Sequence, residues 1–180
     1  MTNYNALKMI IAFIVAITST TSAQHRNKDI PIPKKITIDN GLSPSLAKVE
    51  KEATLNFYAF WNSGKPEYIK KSVSADFIDN SLPVGRPQGV KGLFFAQERI
   101  RKAIPDLRCI LEDVIISGDK ITVRMIFTGT HKGDFMGRKG TGKKIEFLAI
   151  DILHIRNGKV FEDWHIEDNL SFLRQMGAIK

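Results

Sequence analysis

Four acids and imidazoles stand where they could move a proton. Asp151 interrupts the otherwise apolar run Leu148 to Ile155. A charge in such a run needs a partner, because an unpaired buried charge is costly. It either pairs with an arginine or faces a pocket. His131 follows a strand-like stretch whose alternate residues are Ile121, Val123, Met125, Phe127 and Gly129. Alternation predicts His131 on that apolar face, as a core histidine or as a titrating group in a pocket. His165 adjoins Trp164, so the two are expected on opposite faces of a strand, and we place Trp164 inside with His165 ranked below it. Asp168 falls where a strand gives way to a helix, which suits either an N-cap or a carboxylate facing a ligand. Removing a proton next to a carbonyl needs a base within hydrogen-bond reach and a donor for the developing oxyanion. An apolar wall around such a base raises its pKa toward neutrality. Trp164, Phe127 and Phe147 are the expected wall. Asp79 and Asn80 suit a pocket mouth or an ordinary polar loop, and Trp61 and Phe57 suit a core more than a ligand contact.

These groups need a scaffold, and the order of elements is legible. Ser43-Pro44 is a helix start, a hydroxyl cap followed by proline at the first helical position. Leu46, Val49, Ala53, Phe57, Phe60 and Trp61 then recur at helical spacing, until Gly64 and Pro66 break the run. A short helix is expected over about Glu67 to Val73, an extended piece over Asp76 to Asn80, and a loop over Leu82 to Gly89 with Pro83, Gly85 and Pro87. Val90 to Ala103 is a second amphipathic helix stopped by Pro105. Thereafter Leu107 to Ile116, Lys120 to Thr130, Lys144 to Ile155 and Lys159 to Ile166 are rich in Val, Ile, Phe and Thr. Asn157-Gly158 between two such runs marks a hairpin. A short helix over Asp168 to Met176 ends at Gly177. Helices followed by a meander predict an α+β fold, with helices packed on one face of a curved antiparallel sheet and a pocket between them.

The bulk properties narrow the function classes. Lys8, the apolar run Met9 to Ile17 and the small residues ending at Ala23 are expected to form a secretory signal, residues 1–23, with a membrane-tethered N-terminus as the alternative. The run is shorter than the ~20 residues a bilayer span needs. Residues 24–42 are expected to be a leader or linker and 43–180 one domain. The mature protein is expected to be exported, to the periplasm or beyond, and free of the membrane. The formal charge of the full chain, +8, is spread along its length. The densest basic group, Arg138, Lys139, Lys143 and Lys144, lies in a Gly-rich turn without the aromatic residues that stack nucleotides, so no nucleic-acid partner is expected. The stretch Gly137 to Lys144 approaches a phosphate-binding loop, but Lys144 replaces the Ser/Thr and a strand follows instead of a helix. The single cysteine, Cys109, lies in a strand-like stretch and suits a buried thiol. No Cys/His spacing suggests a metal site.

Several short motifs, in order, carry a resemblance. They are Phe60-Trp61-Asn62, Ala75-Asp76-Phe77, Pro87-Gln88-Gly89-Val90-Lys91-Gly92, Ile104-Pro105-Asp106-Leu107, Thr128-Gly129-Thr130-His131-Lys132-Gly133, and Gly158-Lys159-Val160-Phe161-Glu162-Asp163-Trp164 leading to Asp168. Together they resemble the SnoaL-like polyketide/ester cyclases of the nuclear-transport-factor-2-like superfamily, over roughly residues 45–177. The resemblance implies a cone-shaped pocket and ring closure by general acid/base catalysis without metal or organic cofactor. It implies Asp168 as the acid/base residue and His131 as its polar partner. It also implies a small apolar carbonyl or ester ligand and a homodimer; on the pattern of the residues, Trp164, His165, Asp151, Phe127, Trp61 and Asp79 are the expected substrate-binding residues. The same cone holding a metabolite without chemistry is the competing expectation, and a purely structural interaction module is a third.

Overall fold

The computed structural model describes residues 27–179. The expected signal segment, residues 1–23, lies outside the described residues. Among them, no helix is long and apolar enough to cross a membrane.

The first long helix, α1, runs from Pro44 to Ser63 and begins as its sequence dictates. Ser43 stands in extended conformation and its hydroxyl accepts from the Leu46 amide at 3.3 Å. It ends at Gly64, whose φ of 76° lets its N–H reach back to the Phe60 carbonyl. The short α2 (Pro66–Ser72) follows, then α3 (Val90–Ala103) and α4 (Asn169–Gln175).

Six strands form one sheet in the order β1-β3-β4-β5-β6-β2. They are β1 (Ile36–Ile38), β2 (Val73–Asp79), β3 (Arg108–Ser117), β4 (Lys120–Thr130), β5 (Lys144–Arg156) and β6 (Lys159–Glu167). The four central strands are antiparallel and consecutive, joined by tight turns except for the 131–143 loop between β4 and β5. Asn157 and Gly158, with φ of 53° and 71°, make the tight connection from β5 to β6. The wholly antiparallel sheet expected from sequence is corrected at both edges, where β1 pairs with β3 and β2 with β6 in parallel. Each edge strand reaches its partner through a long connection that includes helices, as parallel neighbours need a long crossover. The stretch expected to be a leader also contributes β1, so part of it belongs to the sheet. Register shifts at Leu111/Asp113, His154/Ile155 and Val73/Ile78 interrupt the ladders and bend the sheet.

Alternation along the strands sets what the core contains. On β5, Ile145, Phe147, Ala149, Asp151 and Leu153 are buried, while Glu146, Leu148, Ile150 and Ile152 face outward. The inward rows meet Phe57, Tyr58 and Phe60 of α1, none of which is solvent-exposed. Asp151 therefore stands in the same inward row as Phe147 and Leu153, and its charge has to be satisfied from inside the molecule.

Candidate active site

A cavity of about 730 Å³ opens between the inner sheet face, α3, α4 and the loop before α3. Its apolar walls include Trp61, Leu93, Ile100, Phe127, Phe147 and Phe172. Phe127 and Phe147 are cross-strand partners and stack at 5.3 Å between centroids, and Trp61 meets Phe127 edge-on at 6.4 Å. This volume and lining suit a small, mostly apolar organic ligand.

Polar groups gather on one side. Asp151 and His165 face each other across the β5–β6 ladder, and the His165 Nδ1–H donates to Asp151 Oδ1 at 2.5 Å. The other Asp151 oxygen accepts from the Tyr58 hydroxyl of α1 at 2.7 Å. His165 Nε2 stands 3.3 Å from Glu167 Oε2, two residues on along the same face of β6. Burial works against a charge on the His165 ring. The carboxylates of Asp151 and Glu167 outweigh it and raise the ring well above the ordinary histidine range. The ring is therefore held between two carboxylates that favour its protonated form. Burial pushes the Tyr58 hydroxyl upward, and the Asp151 charge adds to the effect, so Tyr58 stays a donor.

Asp79, at the end of β2, is buried and ion-paired with Arg86 from the loop. Gln88 ties that loop down by bonding both backbone groups of Asp79, at 2.8 and 2.9 Å. Ser81 accepts from the His165 amide at 2.9 Å and donates its own N–H to Asp79 Oδ1 at 2.9 Å. The loop thus fixes the backbone of β6 beside the imidazole. Asp163, also lining the cavity, is 5% exposed. Burial drives its carboxyl well above the ordinary range, and the Asp151 and Asp79 charges push the same way.

Of the residues expected from sequence, Asp151, His165, Phe127, Trp61 and Asp79 all line the cavity. Asp168, His131 and Trp164 do not, and each has a physical reason. Asp168 caps α4: Oδ1 accepts from the Ser171 amide at 3.0 Å, and that bond holds the carboxyl below its ordinary range. Its side chain is exposed. Asp168→Ala is therefore expected to lower the midpoint of a urea titration, whereas Asp168→Asn, an equally good cap, keeps it. His131 is the first residue past β4 and, still paired with Lys143, keeps the inward alternation, but as a buried histidine outside the cavity. It is fully buried against the 131–143 loop, with Nδ1 3.3 Å from Thr141 Oγ1. Trp164 lies on the outer face under the Lys120 ammonium, 5.1 Å from its ring, because its neighbour His165 occupies the inward position. Cys109 is buried and its thiol is pushed upward by that burial. Among the described residues, no group of His, Cys, Asp and Glu is arranged to hold a metal ion.

Sequence reasoning did not single out Asp163, Glu167, Arg86 or Tyr58. A signal for the first two exists: Asp163, His165 and Glu167 recur at every second residue and so share one face of a strand.

A curved sheet with helices closing one face, and a cavity bearing convergent acid and imidazole groups, is the architecture of small-molecule enzymes and binding proteins of the nuclear-transport-factor-2-like class. The model of the SnoaL-like polyketide cyclase family matches residues 51–176, and the chain belongs to that family. Among solved structures, a candidate polyketide cyclase from Bacillus cereus ATCC 10987 is 47% identical, with 86% of this chain and 97% of that one covered and a TM-score of 0.78. TsrD from Streptomyces laurentii is 26% identical over 77% of this chain and 99% of its own, with a TM-score of 0.67. AclR, a candidate hydroxylase from Streptomyces galilaeus, is 27% identical over 74% of this chain and 87% of its own, with a TM-score of 0.65. No curated protein matches the sequence.

Proposed function

We propose that this protein is an acid/base enzyme of the SnoaL-like type, acting on a small carbonyl or ester compound in the cavity through its own side chains. The Asp151–His165 hydrogen bond on the cavity wall is the observation that carries this reading. The imidazolium is the acid: its Nε2–H is held only by the long 3.3 Å contact to Glu167, so a substrate oxygen can compete for it. Glu167 is then the carboxylate beside the substrate, placed to take a proton from the carbon next to the carbonyl. Asp151 orients the ring and keeps it charged, and Tyr58 fixes Asp151. Closing a ring by aldol addition uses both halves: the carbanion carbon bonds to a second carbonyl carbon, and that carbonyl oxygen takes the His165 proton. The catalytic roles first given to Asp168 and His131 pass in this proposal to His165 and Glu167, which face the ligand space.

The test is deuterium exchange at the α-carbon of a panel of aryl ketones and esters, followed by NMR against the buffer rate. Acceleration that a cavity-filling ligand suppresses supports the enzyme. Tight binding of the panel with exchange at the buffer rate would make the protein a carrier.

We also propose that the protein is a homodimer joined through the outer sheet face. Ile150 lies opposite Ile166 and Ile152 opposite Trp164, with Leu148 and Ile110 nearby, and all six are exposed. A contiguous apolar area on an otherwise charged protein marks an association surface. Sedimentation is expected to show a dimer for the wild type and a monomer for Ile150→Lys; a monomeric wild type at micromolar concentration would refute it.

A further inference from the structure

We propose that Asp163 is a ligand-binding residue that donates a hydrogen bond to an acceptor oxygen of the ligand, a carbonyl or an enolate. Asp163 lines the cavity, and its Oδ1 is buried without a hydrogen-bond partner among the described residues. Its polar neighbours are already engaged with one another. Asp151, on β5, is taken by Tyr58 and His165, and Asp79, on β2, by Arg86 and the Ser81 amide. Each of those carboxylates has its own cation, and although His165 and Arg86 also favour the ionised form of Asp163, burial and the Asp151 charge outweigh them. A third carboxylate at this depth keeps its proton, in line with the upward shift that burial gives it. A buried carboxylic acid with an open valence wants an acceptor, and none of the surrounding protein supplies one. The cavity does, when it holds a ligand oxygen. The paired charges around Asp163 also argue against an amine, which would need an unpaired anion. This inference rests on the proposed reading only in taking the cavity as the ligand site. It assigns Asp163 to hold the oxygen of one carbonyl, beside the proton-transferring pair His165 and Glu167.

The test is equilibrium binding of 1-indanone and of indane, two molecules of nearly one shape that differ by the ketone oxygen. No turnover is involved, so a failure here leaves the acid/base reading to its own exchange assay. The ketone is expected to be preferred by the wild type, and Asp163→Leu is expected to lose roughly 3- to 10-fold of that preference, the worth of one neutral hydrogen bond. Asp163→Asn, whose amide also donates, retains it. In infrared difference spectra, the indanone carbonyl stretch moves to lower frequency in the wild type and Asp163→Asn, and not in Asp163→Leu. An unchanged ketone-to-hydrocarbon ratio in Asp163→Leu, a failure of the wild type to bind 1-indanone, or tighter binding of protonated 1-aminoindane than of the ketone would each overturn the proposal.

Discussion

His165→Gln is expected to lower the α-carbon exchange rate by roughly 10²- to 10⁴-fold, the range removed with a general acid or base. Glutamine can still reach the Asp151 carboxylate with an amide N–H, so the ladder and the cavity wall survive. What disappears is a group that carries and releases a proton. The loss should fall on kcat, with ligand affinity largely kept. The wild type should also show a limb on the alkaline side of its pH–rate profile. The imidazolium is the working form, and Asp151 and Glu167 raise its pKa well above the ordinary 6.5 despite its burial. Activity that depends on it therefore persists through neutral pH and declines only as pH rises through the raised value. Asp151→Asn removes the charge that holds the proton and should move that limb to lower pH. Wild-type kcat in His165→Gln would transfer the chemistry elsewhere in the cavity.

Asp151→Ala is expected to destabilise the fold by about 3–5 kcal/mol, because it breaks a buried charge pair from one side. Tyr58, fully buried, loses the acceptor for its hydroxyl, and His165 loses the anion that offsets its desolvation. The pH dependence has a definite sign. His165 has a higher pKa folded than unfolded, so its contribution is fully present below about 6.5 and is lost as pH rises through the folded value. The stability gap between wild type and Asp151→Ala should accordingly be widest at weakly acidic pH and narrow on the alkaline side. Urea titrations at several pH values measure it. A gap that is flat with pH, or smaller than about 1 kcal/mol, the size of an ordinary neutral hydrogen bond, would show that the pair is not what satisfies Asp151.

Much of the frame was legible before any coordinates because local chemistry and long-range packing agree in it. Ser43-Pro44 starts a helix, Val90 to Ala103 is apolar on one stripe, and Asn157-Gly158 turns a hairpin, and each does so in the structure. The three residues of β1 were not legible. They are too few to show a period, and they become a strand only by pairing with β3, far along the chain. The site divides in the same way. Asp151 announces itself as a charge in an apolar run. Its partners do not, since Tyr58 is 93 residues away and reads as one more aromatic in a helical stripe. Alternation says that Trp164 and His165 point apart without saying which points inward; Ile152 on the outer face opposite Trp164 decides it. Asp168 shows the limit most plainly. An aspartate between a strand and a helix has the same sequence signature whether it caps or catalyses, and only the Ser171 amide at 3.0 Å separates the two.

The short parallel strands at the sheet's margins have a consequence for how copies of this protein can add to one another. An open strand edge invites another chain to extend the ladder without limit, and proteins blunt such edges with short strands, proline, lysine and bulges. Here β1 offers only three residues and is preceded by Pro31, Pro33, Lys34 and Lys35, while β2 is interrupted by a register shift and carries Asp76 bonded to Arg156 at 2.9 Å. Growth by strand addition is closed at both ends, and the inner face is roofed by helices. The outer face of β5 and β6 stays open, and two copies that met there would cover the exposed Leu148, Ile150, Ile152 and Ile166 of each other. If copies pair through that face as proposed, assembly is expected to be self-limiting, stopping at a pair instead of running on into a fibre.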